Sequence, residues 1–167
     1  MSEIHDIKIK QRDISPKTSD GTTLKRFDIA FIDGDFDLED TFDSAINISL
    51  FADSRADESE VPEPSRRRGY WGDFILHPDD PTIKTGSKLW LAQGRKTEYE
   101  LGKAIDYCKK ALQWIIDKGK AKDIKVSGSF STNGIIIDIQ IIIEDSLTQN
   151  FSFKLWQNGV TEIIEGD

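Results

Sequence analysis

The side chains that could do chemistry are few and scattered in this sequence. The two histidines, His5 and His77, have no companion residue at the spacing that metal ligands need. A Gly-x-Ser-x-Gly nucleophile motif is absent, and Ser127-Gly128-Ser129 lies in an alternating strand pattern rather than at a strand-to-helix turn. The glycines are too dispersed to form a phosphate-binding loop. We therefore expect no enzyme, no cofactor and no catalytic residue.

Three alternating aspartates, Asp33, Asp35 and Asp37, resemble the first ligands of a calcium-binding loop. An EF-hand loop needs glycine at its sixth position and glutamate at its twelfth. Leu38 and Ser44 occupy those two positions here. A hairpin turn with solvated carboxylates explains the aspartates better, and we expect no metal site.

Cys108 is the one cysteine of the 167-residue chain. It falls on the apolar stripe of a predicted helix, so we interpret it as a core residue and not as a nucleophile. A single cysteine cannot form an intrachain disulfide or a cysteine zinc site, which suits a reducing compartment.

The composition indicates one acidic domain of mixed secondary structure. A chain of this length is typical of a single domain and can bury roughly 70% of its unfolded surface. The net charge of −8 argues against a general nucleic-acid binder, which needs a basic face. No apolar run approaches the ~18 residues of a membrane span, and the first residues lack the pattern of a secretory signal. We expect neither nucleic acid nor membrane as a partner.

The charge is unevenly spread along the chain. Residues 28–60 contain eleven acidic residues and one basic residue, giving −10, whereas residues 95–125 contain nine basic and five acidic residues, giving +4. Such asymmetry could let copies or neighbours meet head to tail. Two solvated faces of different charge would explain it equally well, and the sequence leaves both explanations open.

Hydrophobic periodicity predicts a long amphipathic helix from Thr97 to Lys118. Its apolar residues recur at steps of three and four, a threonine can cap its first turn, and Gly119 can end it. A shorter helix is predicted between Thr41 and Ala56, although the β-branched residues there would also allow a strand.

Three strands are predicted after the long helix. They span Ile124 to Phe130, the isoleucine-rich run Ile135 to Ile143, and Phe151 to Leu155, and Asn133-Gly134 is a strong hairpin signal between the first two. The isoleucine-rich strand is expected to be central. The predicted fold class is α+β: an antiparallel sheet, made of this C-terminal three-strand meander plus N-terminal strands, packed on the long amphipathic helix and the shorter helix.

An unusual run of glycines and aromatic residues lies in the middle of the chain. Gly69 and Gly72 flank Tyr70 and Trp71, and Asp73 follows. Because glycine allows left-handed backbone angles and close backbone approach, the spacing predicts a tight corner that turns two large rings to one side.

Gly86 begins a second run of the same kind. Leu89 and Trp90 follow it in a short apolar stretch that we expect to be buried. Between the two runs, the sequence His-Pro-Asp-Asp-Pro at 77–81 forbids a regular element. The whole region therefore predicts irregular loops with defined conformations.

Three consecutive arginines, Arg66, Arg67 and Arg68, directly precede the corner. One interpretation is a solubilising run in which Arg68 packs over Tyr70 or Trp71 as a cation–π pair. The other is a protein interface, because arginine forms bidentate pairs with the carboxylates of a neighbour. The residues alone leave both open.

These motifs resemble a known family. Arg67-Arg68-Gly69-Tyr70-Trp71-Gly72-Asp73, followed by Gly86-Ser87-Lys88-Leu89-Trp90-Leu91, is similar to the signature of the Mu-like phage tail and baseplate protein family, gene product forty-six of that phage. The run from Ser44 to Ala56 and the helix from Leu101 to Gly119 match the same pattern. The resemblance covers Phe27 to Trp156. In two departures, Tyr70 stands in place of a second tryptophan, and the residues around Ser54 differ from the family's Thr-Asp-Arg-Arg run.

The family is in turn similar to the T-even wedge protein that starts the sheath, gene product twenty-five. The resemblance implies a structural component of a contractile phage or prophage tail baseplate, a wedge subunit that helps seat or initiate the tail sheath. Its partners would be other baseplate and sheath proteins, and the isolated protein would be a monomer or a weak dimer. Its location would be the virion tail baseplate, after assembly in the bacterial host cytoplasm.

The resemblance also favours the interface interpretation of Arg66, Arg67 and Arg68. Trp156 joins them as a candidate interface residue, because it ends a candidate edge strand, Phe151 to Trp156, and tryptophan is enriched at interface hot spots. The short N-terminal strand is the alternative edge, and packing under the C-terminal tail is the alternative role of Trp156. The residues from Gly69 to Asp73, together with Gly86, Leu89 and Trp90, are expected to be structural.

Residues 1–26 lie outside the resemblance and are expected to form an N-terminal arm or an added strand. Residues 27–167 are expected to form a single wedge-like domain. The alternative function is a stand-alone protein-binding or regulatory module of the same fold that works outside a virion, because a fold does not fix its use.

Overall fold

The computed structural model describes residues 6–7, 9–14, 24–29, 31–32, 35–36, 38–39, 43–76, 79–80, 82–92, 94–144, 147–156 and 161–164. The chain divides into two compact units, Met1–Asn47 and Ile48–Asp167, which are described separately. The boundary that we expected after residue 26 stays a prediction.

Short antiparallel strands make up the first unit. One pair joins the start of the chain to residues 38–39, and the other two pairs each join strands that are consecutive in the sequence. In the last of these pairs Ile32 lies opposite Asp35. That register confirms the hairpin predicted around the alternating aspartates. The strands are β1 (Asp6–Ile7) with β6 (Leu38–Glu39), β2 (Ile9–Ile14) with β3 (Leu24–Ile29), and β4 (Phe31–Ile32) with β5 (Asp35–Phe36).

The second unit combines helices, loops and a C-terminal sheet. Its helices are α1 (Asp43–Phe51), which begins in the first unit, α2 (Asp73–Leu76) and α3 (Glu98–Asp117), with 3₁₀ turns at Pro64–Arg66 and Leu89–Leu91. Its strands are β7 (Asp123–Ser131), β8 (Gly134–Glu144), β9 (Leu147–Trp156) and β10 (Thr161–Ile164). None of the described helices is long and apolar enough to cross a bilayer.

The four C-terminal strands form one antiparallel sheet in the order β10-β9-β8-β7. The α+β class and the central place of β8 are confirmed, and four alternate isoleucines of β8 are at most 2% exposed. The sheet gains a fourth strand, β10, and the described N-terminal strands pair with each other rather than with this sheet. The isoleucines are Ile135, Ile137, Ile139 and Ile141.

The prediction that Phe151 to Trp156 forms a sheet edge is wrong. Strand β9 lies between β8 and β10, and β10 pairs with it from Ser152 to Leu155. The edge of β9 is covered because residues 161–164 form a further strand, in which Ile163 lies opposite Phe153. Four residues are too few for a reliable alternating pattern in the sequence.

Helix α3 follows the sequence prediction closely. The Thr97 side chain accepts a hydrogen bond from the Glu100 N–H, at 3.2 Å, and so caps the first turn. At the other end, Gly119 N–H donates to Ile116 O and Lys120 N–H donates to Ile115 O, a Schellman motif. The predicted apolar stripe is buried through Ala104, Cys108, Leu112 and Ile115.

Two contacts hold α1 to the rest of the second unit. The Trp114 Nε1–H of α3 donates to Ser49 Oγ at 2.9 Å. The ring of Phe51 meets that of Phe153 edge to face, with centroids 5.3 Å apart. The last turn of α1 is thereby fixed against both α3 and the sheet, and it sets the start of the loops that follow.

Gly128 of β7 lies in close contact with α3 and with β8. A Cβ atom at this position would lie 2.7 Å from Leu101 Cδ1, 2.9 Å from Ile137 Cδ1 and 3.0 Å from the backbone oxygen of Ile136, which cannot move aside as a side-chain end can. Gly128→Ala is therefore expected to lower the free energy of unfolding by about 1–3 kcal/mol through overpacking, as measured by urea denaturation.

Gly102→Ala is the matched control for this prediction. Gly102 lies within α3, and a Cβ atom added there would meet nothing within 4 Å. The same change there should raise the free energy of unfolding by about 0.5–1 kcal/mol, because alanine favours a helix over glycine. An equal, stabilising effect at both positions would contradict the packing of Leu101 on Gly128.

Candidate functional site

The loops between α1 and α3 contain most of the residues that the sequence motifs singled out. At their centre is the segment 52–57, whose backbone forms hydrogen bonds with two other stretches of loop, one at Ser87 and one at Arg67. Ser87 donates its N–H to Ala52 O and accepts from the Ser54 N–H, both at 2.9 Å, and the Ala56 N–H donates to Arg67 O at 2.9 Å. These backbone bonds join three separate stretches of loop into one structure, which we call the loop module (residues 52–57, 66–73 and 82–92).

Gly86 makes this pairing possible. Its φ of +87° is in the left-handed region, and a Cβ atom there would overlap Ala52 O. The next residue, Ser87, is buried and donates its hydroxyl to Leu50 O at 2.5 Å. The glycine predicted from sequence to be structural therefore sits where a side chain could not fit.

The aromatic corner has one ring packed and one ring exposed. Gly69 has a φ of +124°, and Tyr70 covers Gly72 so closely that a Cβ there would lie 2.6 Å from the Tyr70 ring. Trp71 is 73% exposed, with its ring centroid 5.7 Å from that of Tyr70. Asp73 fixes the far side of the corner by accepting the Thr85 N–H at 2.9 Å. Trp71 is thus held in place without belonging to the core.

Leu89 and Trp90 anchor the second run of the motif. Leu89 is buried, and the Trp90 Nε1–H donates to Ser54 O at 2.9 Å. The Arg68 guanidinium lies 4.5 Å from the centre of the Trp90 ring. The interpretation of the arginines as a solubilising run has Arg68 stack on Tyr70 or Trp71; its cation–π partner is instead Trp90, twenty-two positions further along the chain.

The three arginines have different surroundings. Arg66 forms an ion pair with Glu63 at 2.9 Å, and its side chain is 77% exposed. Arg67 is largely covered and donates to Val61 O and Pro62 O, both at 2.8 Å. Arg68, with a left-handed φ of +48°, bonds to an aspartate, Asp53, at 2.9 Å. The last two therefore shape the loop module, while the first faces solvent.

Trp156 and the two histidines remain from the sequence predictions. Trp156 pairs through its backbone with Gly134 of β8, and its side chain is not described. His5 and His77 lie outside the described residues. The described residues contain no group of three or more histidine, cysteine or acidic side chains that could hold a metal ion.

A groove of about 790 Å³ opens between the loop module and α3. On its wall, Lys88 Nζ lies 2.5 Å from Asp57 Oδ2 and 2.7 Å from Glu60 Oε2. The Tyr107 hydroxyl of α3 lies 3.5 Å from the other oxygen of Glu60. The sequence did not predict this cluster, because residues 28 to 31 positions apart carry no local pattern that links them.

In the groove, the pKa values of the acids Asp57 and Glu60 are lowered and those of Lys88 and Tyr107 are raised, so each lies further from neutral pH than usual. The hydrogen bond from Lys88 lowers the pKa of Asp57. Burial pulls the pKa of Lys88 down, but its bonds to Asp57 and Glu60 outweigh burial and raise it. Burial and the charge of Glu60 raise the pKa of Tyr107 to about 12. General acid–base catalysis needs pKa values near the working pH. In this cluster the surroundings shift the pKa values away from neutral pH instead.

Cys108 is likewise unsuited to nucleophilic chemistry. It is fully buried in α3, and burial raises the pKa of its thiol to about 12. The thiolate is the reactive form of cysteine. The interpretation of Cys108 as a core residue is confirmed by its burial.

Comparisons with known proteins match most of this chain. Residues 42–148 match the model of a family described as Phage protein GP46. The Mu-like prophage FluMu protein gp46 of Haemophilus influenzae is 34% identical over 119 residues, which cover 70% of this chain and 79% of that protein. Baseplate protein gp46 of Escherichia phage Mu is 34% identical over 142 residues, which cover 83% of this chain and 94% of that protein. The family match includes the loop module, α3 and the groove.

The ion cluster predicts a pH-dependent contribution of Glu60 to stability. Burial acts to raise the pKa of Glu60, but its bonds with Lys88 and the Asp57 N–H outweigh burial and lower it. A lowered folded-state pKa stabilises the protein above the unfolded pKa of about 4.3, and this stabilisation is lost as the pH falls through the folded pKa. Glu60→Gln should therefore lower the Tm at pH 7, and the Tm difference should shrink below about pH 4.

Thermal unfolding of both proteins from about pH 3 to pH 8 tests this prediction. Glu144→Gln, at the exposed end of β8, is the control and should show little Tm difference at any pH. A difference for Glu60→Gln that stays constant over the whole range would exclude a charge interaction with Lys88.

Proposed function

Because the chain belongs to the phage protein GP46 family, we propose that it is a structural component of the baseplate of a contractile phage or prophage tail. The observation that carries this proposal is the 34% identity to Baseplate protein gp46 of phage Mu, which extends over 94% of that protein. In this role it acts through protein–protein contacts and catalyses no reaction. It resides in the virion tail, which is assembled in the host cytoplasm.

The loop module supports a role in binding neighbours. It is tied by backbone hydrogen bonds and by close contacts at glycines, yet it presents Trp71 and Arg66 to solvent. Tryptophan and arginine are enriched at interface hot spots, and a rigid loop loses little conformational entropy on binding. We assign Trp71 and Arg66 to an interface with another tail subunit. Arg67 and Arg68 support that surface by holding the loop in shape.

The finer proposal is a wedge subunit that seats or initiates the sheath. Such a subunit offers a sheet edge to which an extended arm of a neighbour adds as a strand. Strand β7 pairs with β8 on one side only among the described strands, and it is nine residues long. Its other edge therefore replaces β9 as our candidate for strand addition. The arm at 1–26, the wedge-like unit at 27–167 and Trp156 as an interface residue stay part of this proposal.

Trp71→Ala tests the assigned interface. Because the ring is mostly exposed, we expect the free energy of unfolding to change by less than about 1 kcal/mol. Incorporation into tails should nevertheless be strongly reduced. The measurement is the amount of this subunit in tails purified from a strain whose chromosomal copy is deleted and which is complemented with each variant.

Tyr99→Ala is the matched control, since Tyr99 is an aromatic residue of α3 with a similar exposure of 74%. This variant should be incorporated normally. Normal incorporation of Trp71→Ala would remove the interface assignment. Tails that lack the wild-type protein altogether would refute the baseplate proposal itself.

A further inference from the structure

We propose that the groove between the loop module and α3 binds an acidic, extended peptide segment of a neighbouring tail protein. This inference rests on the proposed function for the class of partner. Its physical basis lies in the charges that line the groove and in how they are paired.

Three separated stretches of the chain and the single residue Arg67 build the groove. The segments 54–60 and 82–88 contribute one side, and Tyr107, Lys110 and Ala111 of α3 contribute the other. The fixed pairing of Ser54 with Ser87 sets the position of the first two segments. The groove is therefore part of the rigid structure, which favours binding without a large loss of conformational entropy.

The acidic side chains of the groove are already engaged within the protein. Asp57 and Glu60 both bind Lys88, at 2.5 and 2.7 Å. Glu58 lies 3.8 Å from Arg67, whose guanidinium is also held by backbone carbonyls. These contacts pair the three carboxylates with two of the five basic groups that line the groove, and the lining as a whole keeps two more positive than negative charges.

The other three basic groups, Arg55, Lys84 and Lys110, form no salt bridge with any described residue. All three are exposed. Arg55 donates one N–H to Arg68 O at 3.0 Å, which leaves further donors of its guanidinium for a ligand. A chain with a net charge of −8 thus places three cations that have no salt bridge among the described residues in one groove, whose lining has a net positive charge.

Charge complementarity selects a carboxylate-bearing peptide as the occupant. Arginine and lysine form strong, charge-assisted hydrogen bonds with carboxylates. A nucleic acid carries a negative charge at every nucleotide, so it would also place phosphates beside Asp57, Glu58 and Glu60. An acidic peptide can instead direct its carboxylates to the three free cations and leave neutral residues beside these acids.

Photo-crosslinking in assembled tails tests the occupant. Glu58 lines the groove, and its side chain is 83% exposed, so it can be replaced by p-benzoylphenylalanine without removing a cation. We expect irradiated tails to yield a crosslink to a segment of another tail protein that carries several carboxylates in a short extended stretch. The same replacement at Gln140, an exposed residue of the central strand β8 outside the groove, should not give that crosslink.

Charge reversal provides the second measurement. The double variant Lys84→Glu, Lys110→Glu should be incorporated into tails at least about tenfold less than wild type, which corresponds to about 1.4 kcal/mol. Lys118→Glu, Lys120→Glu makes the same change in charge at exposed residues beyond the groove and should be incorporated normally. Circular dichroism establishes that both variants are folded.

The outcomes separate this inference from the proposed function. Wild-type protein in tails, with no crosslink at Glu58 or with a crosslink to nucleic acid, lipid or a non-acidic segment, overturns the inference and leaves the baseplate role intact. Normal incorporation of Lys84→Glu, Lys110→Glu overturns it as well. Absence of the wild-type protein from tails refutes the baseplate role and, with it, this partner.

Discussion

The close approach of Gly86 to the Ala52 carbonyl is the constraint on which the loops depend. It lets Ser87 bond to both Ala52 and Ser54, and thereby fixes the segment 52–57 between two distant parts of the chain. Trp90 reaches the same segment through Ser54 O. A larger residue at 86 would separate these stretches of loop, because neither the carbonyl nor the left-handed φ accommodates a Cβ atom. The aromatic corner and the groove both rest on this contact.

A loop module of this kind suits a protein whose work is to hold neighbours in place. The buried helix and sheet supply a core that resists deformation, since protein interiors are close-packed. The loops and the adjoining helix supply exposed groups of fixed position, Trp71 and Arg66 at the corner and Lys84 and Lys110 at the groove. The lowered pKa values of Asp57 and Glu60 and the raised pKa of Lys88 keep these three groups charged over a wider pH range than usual.

Most regular elements of the second unit and the structural role of Gly86 could be predicted from the sequence, whereas the side-chain contacts of the site could not. Helix α3, its Thr97 cap and the central β8 follow from periodicity and local capping chemistry, which need only neighbouring residues. Strand β10 was missed because its four residues form too short a pattern. The ion pair of Arg68, the anchoring of Trp90 and the Lys88 cluster depend on contacts across 15 to 36 positions, and no local rule specifies them.

We propose above all that this chain is a rigid baseplate subunit whose loop module faces its neighbours. Cryo-electron microscopy of the intact tail tests it most directly. We predict density for this chain in the baseplate, with the loop module in its present conformation and with both Trp71 and the groove covered by other subunits. Density that shows the subunit in the baseplate with these surfaces open to solvent, or an absence of the subunit from the tail, would contradict this claim.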